Sequence, residues 1–256
     1  MMIETHAHIY ADQFKKDIGE VLERGREEGI SKIYMPNIDH TSIDVMMELE
    51  EKHPDLCVAT MGLHPCSVKG DFQKELYIIE EWLSKREFAA IGEMGTDLYW
   101  DKTFIDQQVE AFKIQVAWAK QYEKPIIIHC RESLDMTIDL VEQLKEDNLT
   151  GVFHCFNGSV EQAERIHKLG FYIGLGGVVT FKNSGMGEVI PELNMSHVVL
   201  ETDSPYLAPV PYRGKRNEPS YLKMVAQKVA GLRQVAIEEI EATTTRNANL
   251  LFKVQS

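Results

Sequence analysis

Positive charge is in short supply in this chain of 256 residues: 27 Lys and Arg stand against 40 Asp and Glu, a formal charge of −13. No global basic field is available to draw in a polyanion, which argues against nonspecific coating of DNA. Any nucleic-acid contact must rest on local basic residues and bound cations. Cysteine is sparse as well. Cys57, Cys66, Cys130 and Cys155 form no CxxC pair and sit in or beside apolar strand-like runs, so free thiols are expected rather than a disulfide framework. Long apolar runs are missing. None approaches membrane-spanning length, and the opening MMIETH lacks the basic start and apolar stretch of a secretory signal, so the expectation is a cytoplasmic protein with no membrane contact. Linkers, low-complexity tracts and fixed-period repeats are also lacking. With 44% hydrophobic residues to build one core, a single domain over 1–256 is expected, as a monomer with no protein partner.

What the chain does contain is short apolar runs alternating with longer amphipathic segments, the pattern of repeated βα units and a parallel sheet. Strands are predicted at Ile3–His6, Lys32–Pro36, Leu56–Met61, Ala89–Glu93, Pro125–His129, Gly151–Cys155, Tyr172–Leu175 and Val198–Glu201. Eight such strands predict an α/β fold of the TIM (β/α)8 barrel type, and the length suits one. Between them, 104–121 carries Val109, Phe112, Val116 and Ala119 at helical spacing, and 11–28, 71–85, 133–147 and 219–231 read as helices too. The Pro- and Gly-rich stretch 208–219 is too irregular for either structure and long for an idle connection, so it reads as a functional loop.

The informative polar residues stand at the C-terminal ends of the strands, where TIM barrels keep their active sites. His6 and His8 close the first, Glu93 the fourth, His129 the fifth, His154 the sixth, and Asp203 follows the eighth. One histidine at a strand end is more often a packed or solvated residue than a ligand. Six such groups converging on one barrel mouth have no packing explanation. His6 and His8, two apart, project to one side and can face one ion, as the spacing of Glu201 and Asp203 also allows. Imidazoles with carboxylates suit Zn²⁺, Mn²⁺ or Fe²⁺, and a carboxylate such as Glu93 can bridge two ions. His64, in GLHP after the third strand, has either a substrate or supporting role or a structural one. His40, His53, His167 and His197 lie in or beside helices or ahead of a strand and read as structural or solvated. Cys130 and Cys155 read as packing residues. Arg131, just past His129, and the loop cluster Arg213, Lys215 and Arg216 read either as a solvated charge run or as donors to phosphate oxygens.

Seven motifs in order then resemble the TatD family of metal-dependent hydrolases, an amidohydrolase-like branch of the TIM barrels. They are ETHAH at 4–8, GLHP at 62–65, IGEMG at 91–95, PIIIH at 125–129, HCF at 154–156, LETDSP at 200–205 and RGKRNEP at 213–219. Glu4, Thr96 and Asn157 stand where the family more often has Asp, Leu and Ser. The resemblance implies a divalent-metal deoxyribonuclease or phosphodiesterase with His6, His8, Glu93, His129, His154 and Asp203 as ligands of two ions (Zn²⁺, Mn²⁺ or Mg²⁺). Glu93 and Asp203 would be the catalytic carboxylates. His64, Arg131, Arg213 and Arg216 would contact DNA or another phosphodiester. The competing expectation is a metal-dependent amidohydrolase or esterase acting on a small molecule, because the same centre can polarise a carbonyl.

Overall fold

Each of the eight apolar runs forms a strand, with helices between, in a computed structural model that describes residues 1–146 and 148–253. In chain order these are β1 (Met2–Glu4), α1 (Ile18–Glu27), β2 (Ile30–Pro36), α2 (His40–Lys52), β3 (Cys57–Thr60), α3 (Phe72–Lys85), β4 (Ile91–Asp97) and α4 (Ile105–Gln121). There follow β5 (Ile126–Arg131), α5 (Leu134–Leu144), β6 (Gly151–Phe153), α6 (Val160–Lys168), β7 (Tyr172–Leu175), the short α7 (Met186–Val189), β8 (Val198–Leu200), α8 (Leu222–Arg233) and α9 (Ile237–Leu251). Every strand pairing is parallel, in the order β1-β2-β3 and β4-β5-β6-β7-β8. Bridges between Met61 and Ile91 and between Ala7 and Ser204 close the two seams, giving a (β/α)8 barrel without a free edge.

Ile3, Tyr34, Ala90, Ile127, Val152 and Val199 come from six strand segments yet form one buried cluster, which is possible only inside the barrel. Val58 and Tyr172 add the remaining two strands. Ala248, Leu251 and Phe252, at the end of α9, plug this layer from below, and the Phe252 ring stacks on Tyr34 at 3.7 Å. The N-terminal end of the barrel is thus apolar and sealed, so polar chemistry is confined to the other end. His129 and His154, two residues beyond Ile127 and Val152, inherit the inward direction just above the plug. A second, larger apolar cluster fills the space between barrel and helices.

Several boundaries differ from the sequence expectation. Strand β4 runs on to Asp97 instead of ending at Glu93, because Gly95, Thr96 and Asp97 pair with His129, Cys130 and Arg131. The segment 11–28 opens with a separate 3-10 turn at Asp12–Phe14, and another at Pro219–Tyr221 precedes α8. The expected helix 133–147 ends at Leu144, and its residue 147, like 254–256 of the expected single domain, lies outside the described residues. Helices α2 and α6, which periodicity alone did not single out, both begin with reciprocal capping boxes, Asp39 with Ser42 and Ser159 with Gln162. Helix α4 buries two glutamines among its apolar residues. Gln115 Oε1 accepts the Leu63 N–H at 2.7 Å and Gln108 Oε1 the Asp97 N–H at 2.8 Å, so both hold backbone at the barrel mouth. Among the described residues no helix is long and apolar enough to cross a membrane, and all four cysteines are free.

Candidate metal centre

Past β1 the chain stays extended between two neighbours. Ala7 N–H donates to Tyr34 O at 3.0 Å, His6 O accepts from Asp203 N–H at 2.9 Å, and His8 N–H donates to Ser204 O at 2.7 Å. This ladder points the rings of His6 and His8 the same way, with their Nε2 atoms 3.3 Å apart. Glu93 Oε2 lies 3.1 Å from His6 Nε2 and 3.4 Å from His8 Nε2, and Asp203 Oδ1 completes the set at 3.7 and 3.6 Å. The other oxygen of Glu93 serves a second set. Oε1 is 2.9 Å from His129 Nδ1, 2.9 Å from His154 Nε2 and 3.3 Å from His64 Nε2. One carboxylate therefore faces two groups of imidazoles with different oxygens.

These residues fit divalent cations. Ligands about 2.0–2.2 Å from a tetrahedral ion stand roughly 3.3–3.6 Å from one another, and the donor atoms here lie 2.9 to 3.7 Å apart. Among the described residues no lysine or arginine pairs with the carboxylates of the centre, and Glu93 Oε2 is buried without a hydrogen-bond partner, an arrangement that is costly unless a cation meets it. Three overlapping groups of donors satisfy the geometry: His6, His8 and Asp203; His6, Glu93 and His154; and His64, Glu93 and His129.

Outer partners decide which ring nitrogens are free. Tyr10 Oη donates to Pro36 O at 2.5 Å, so it accepts from His8 Nδ1 at 2.8 Å and leaves the His8 Nε2 lone pair for the centre. Asp97 Oδ2 accepts a hydrogen bond from His129 Nε2–H at 3.0 Å, which leaves the Nδ1 lone pair for the centre. Glu201 Oε1 faces His154 Nδ1 at 3.5 Å and also accepts the Cys155 N–H, leaving His154 Nε2 inward. His64 is the reverse case: its Nδ1 accepts the Cys66 N–H at 3.0 Å, so the neutral ring carries its proton on Nε2. That makes His64 a hydrogen-bond donor into the site and leaves Glu93, His129 and His154 as the second donor set.

Burial and the carboxylates pull the titrations apart. Burial and the charge of His154 hold His6 well below the ordinary histidine range, and burial lowers His64. Burial also opposes the charged forms of His154 and His129, but Glu93 and Glu201 outweigh it at the first, and Asp97 and Glu93 at the second, so both are raised. Glu93 is depressed by the histidines despite its burial. Burial pushes Asp203 up to about 6. The side chains of Asp203, His64 and His129 keep 14%, 14% and 15% of their surface open, against 1% for His6 and 2% for Glu93, so the centre opens to solvent over the first three.

The six expected ligands thus meet at one mouth with His64 beside them. Arg131 and Arg213 are exposed at the rim, Arg213 over the Phe181 ring. Arg216 is engaged elsewhere: its guanidinium makes a two-pronged pair with Asp17 at 2.7 and 2.6 Å, donates to Gln13 O and covers the Phe14 ring. A phosphate contact by Arg216 would have to break that pair, and its place is that of an anchor for the 208–219 loop. Local spacing gave Tyr10 and Asp97 no role and Glu201 only the possibility of facing an ion, although each stands two or four residues from a ligand, at the alternation that turns side chains to one face.

Comparison with known proteins gives four findings. Residues 3–253 match the family model described as TatD related DNase. The chain is 40% identical over 255 residues to the uncharacterized metal-dependent hydrolase YabD of Bacillus subtilis, covering 99% of this chain and 100% of that one. It is 30% identical over 259 residues to a protein of Edwardsiella piscicida named 3'-5' ssDNA/RNA exonuclease TatD, covering 99% and 100%. In three dimensions it superposes with a TM-score of 0.93 on the crystal structure of YjjV, a TatD homologue of Escherichia coli, at 30% identity over 99% of this chain and 98% of that one.

Proposed function

The chain belongs to the TatD-related DNase family of metal-dependent hydrolases, and on that premise we propose that it is a two-metal phosphodiesterase that cleaves single-stranded DNA. The observation that carries this reading is Glu93, whose two oxygens face separate sets of nitrogen ligands. Two divalent ions, Zn²⁺, Mn²⁺ or Mg²⁺, would supply Lewis-acid charge for activating a water and offsetting charge on the phosphoryl oxygens. His6, His8, Asp203 and Glu93 would hold one of them, and Glu93, His129 and His154 the other.

The remaining work falls to the chain's own groups. Asp203, whose Oδ1 faces His6 and His8 and whose side chain stays partly open, takes a proton from the attacking water. The water oxygen bonds to phosphorus, the opposite phosphorus–oxygen bond breaks, and the leaving alkoxide receives the proton. His64, neutral and protonated on Nε2, donates to an oxygen of the substrate. Arg131 and Arg213 offer guanidinium donors to flanking phosphates, a recognition that a neutral amide substrate would not use. The Arg216–Asp17 pair holds the loop that carries Arg213.

Cleavage of an end-labelled single-stranded oligodeoxynucleotide by metal-stripped protein resupplied with each cation tests this reading. Cation-dependent shortening from the 3′ end is expected, with RNA as the parallel substrate. Hydrolysis of amides or esters with no cleavage of either nucleic acid would overturn it in favour of an amidohydrolase.

Metal binding should be coupled to protons with a definite sign. Because His154 and His129 titrate above the ordinary range in the metal-free fold, cations must displace protons from them, so affinity rises with pH through neutrality and falls on acidification. Calorimetric titration of stripped protein in two buffers of different ionisation enthalpy should report release of about one proton or more. Identical heats in both buffers would count against it.

A further inference from the structure

We propose that Tyr99, Trp100 and Arg131 form a stacking platform for a nucleobase of a single strand lying across the metal centre, an inference that rests on the phosphodiesterase reading above. Nine large hydrophobic side chains are exposed among the described residues, and five of them, Tyr99, Trp100, Tyr206, Leu207 and Val210, lie in the two loops that follow β4 and β8 at the mouth of the site. Exposed aromatics concentrated beside a polar centre point to a ligand with flat faces.

The β4–α4 loop presents these rings in a fixed form. Tyr99 is 48% exposed and Trp100 68%, and their rings meet edge to face at 4.9 Å and 86°. The Arg131 guanidinium lies over both, with its central carbon 3.7 Å from the Tyr99 centroid and 5.2 Å from that of Trp100. Among the described residues no carboxylate pairs with Arg131. A guanidinium stacked on a ring keeps its in-plane N–H groups free, so it can hold the ring with its face and a phosphate with its edge.

Asp97 ties this platform to the chemistry. Its Oδ1 accepts from the backbone N–H groups of Tyr99 at 2.9 Å and Trp100 at 3.0 Å, while Oδ2 orients His129 at 3.0 Å. The same carboxylate sets the His129 ring and the loop that carries the aromatics, so a base on the platform has its phosphate at a fixed offset from the donor set of His129, Glu93 and His154. Base–aromatic stacking tolerates any base and requires an unpaired one. The platform therefore selects single strands over duplex and gives little sequence preference.

The test uses the full-length protein, Trp100→Ala and Trp100→Phe, with two substrates: a single-stranded oligodeoxynucleotide and a tetrahydrofuran abasic oligomer of the same length and backbone. For Trp100→Ala, kcat/KM on the oligonucleotide should fall about 10- to 100-fold, mainly through KM, with most of the loss recovered in Trp100→Phe. On the abasic oligomer, wild type and Trp100→Ala should differ by less than about threefold, because no base is there to stack. Equal losses on both substrates, or none on either, would overturn the platform while leaving nuclease activity intact. If the wild type cleaves neither substrate, tryptophan fluorescence decides: saturable quenching by the oligonucleotide, absent in Trp100→Phe and absent with the abasic oligomer, supports the platform. Lack of such quenching overturns it.

Discussion

Glu93→Gln is expected to lower phosphodiester hydrolysis by about a thousandfold or more, equivalent to at least about 4 kcal/mol of transition-state stabilisation, while the barrel remains folded. The carboxylate puts Oε2 within 3.4 Å of His6 and His8 and Oε1 within 3.3 Å of His64, His129 and His154. A glutamine of the same shape keeps one weaker acceptor and turns an NH₂ group toward the other imidazole set, so it can no longer serve two cations. The change also removes the negative charge that raises His154 and His129, so less proton should be released when metal binds. Metal content per chain, hydrolysis rate and thermal melting separate these effects. Full metal content with activity within about tenfold of the wild type would show that Glu93 does not bridge.

Gly95→Ala should abolish folding or lower the melting temperature by at least about 10 °C, the consequence of more than about 4 kcal/mol of destabilisation in a chain of this size. Gly95 has a φ of +151°, and a Cβ there would lie 1.9 Å from His129 O and 2.8 Å from its carbonyl carbon. Those atoms belong to the neighbouring strand, paired with Gly95 in register, so no side chain can swing aside to relieve the clash. The close approach is what carries β4 past Glu93 and puts Asp97 behind His129. Gly19→Ala is the matched control. It lies in α1 with nothing within 4 Å of an added Cβ, so helix propensity should stabilise it by about 0.5–1 kcal/mol. Soluble yield and melting curves of the two variants, side by side, suffice. A folded Gly95→Ala protein melting within about 3 °C of the wild type would refute the packing account.

Much of the site could be read from local order because a parallel barrel sends the C-terminal end of every strand to one mouth. His129 and His154 each follow an apolar strand residue by two positions, so their direction follows from alternation alone. Where the alternation was cut short, so was the reading. Ending the fourth strand at Glu93 hid Asp97 from view. Its role depends on pairing with β5, which local periodicity does not report.

The chain's own order of residues determined the number of strands, their parallel arrangement and which polar side chains stand at their ends, because these follow from backbone geometry and burial repeated unit by unit. Only the tertiary structure decided how those ends combine. Closure of the seams brings His6 beside Asp203 and stacks it on His154 at 3.9 Å. It also seats Phe252 under Tyr34 and commits Arg216 to Asp17, 199 residues away. The protonation of His64 likewise depends on a turn that offers the Cys66 N–H to Nδ1. Such contacts join residues that share no local pattern, and a charge or a ring acquires its function from the partner that the fold places against it.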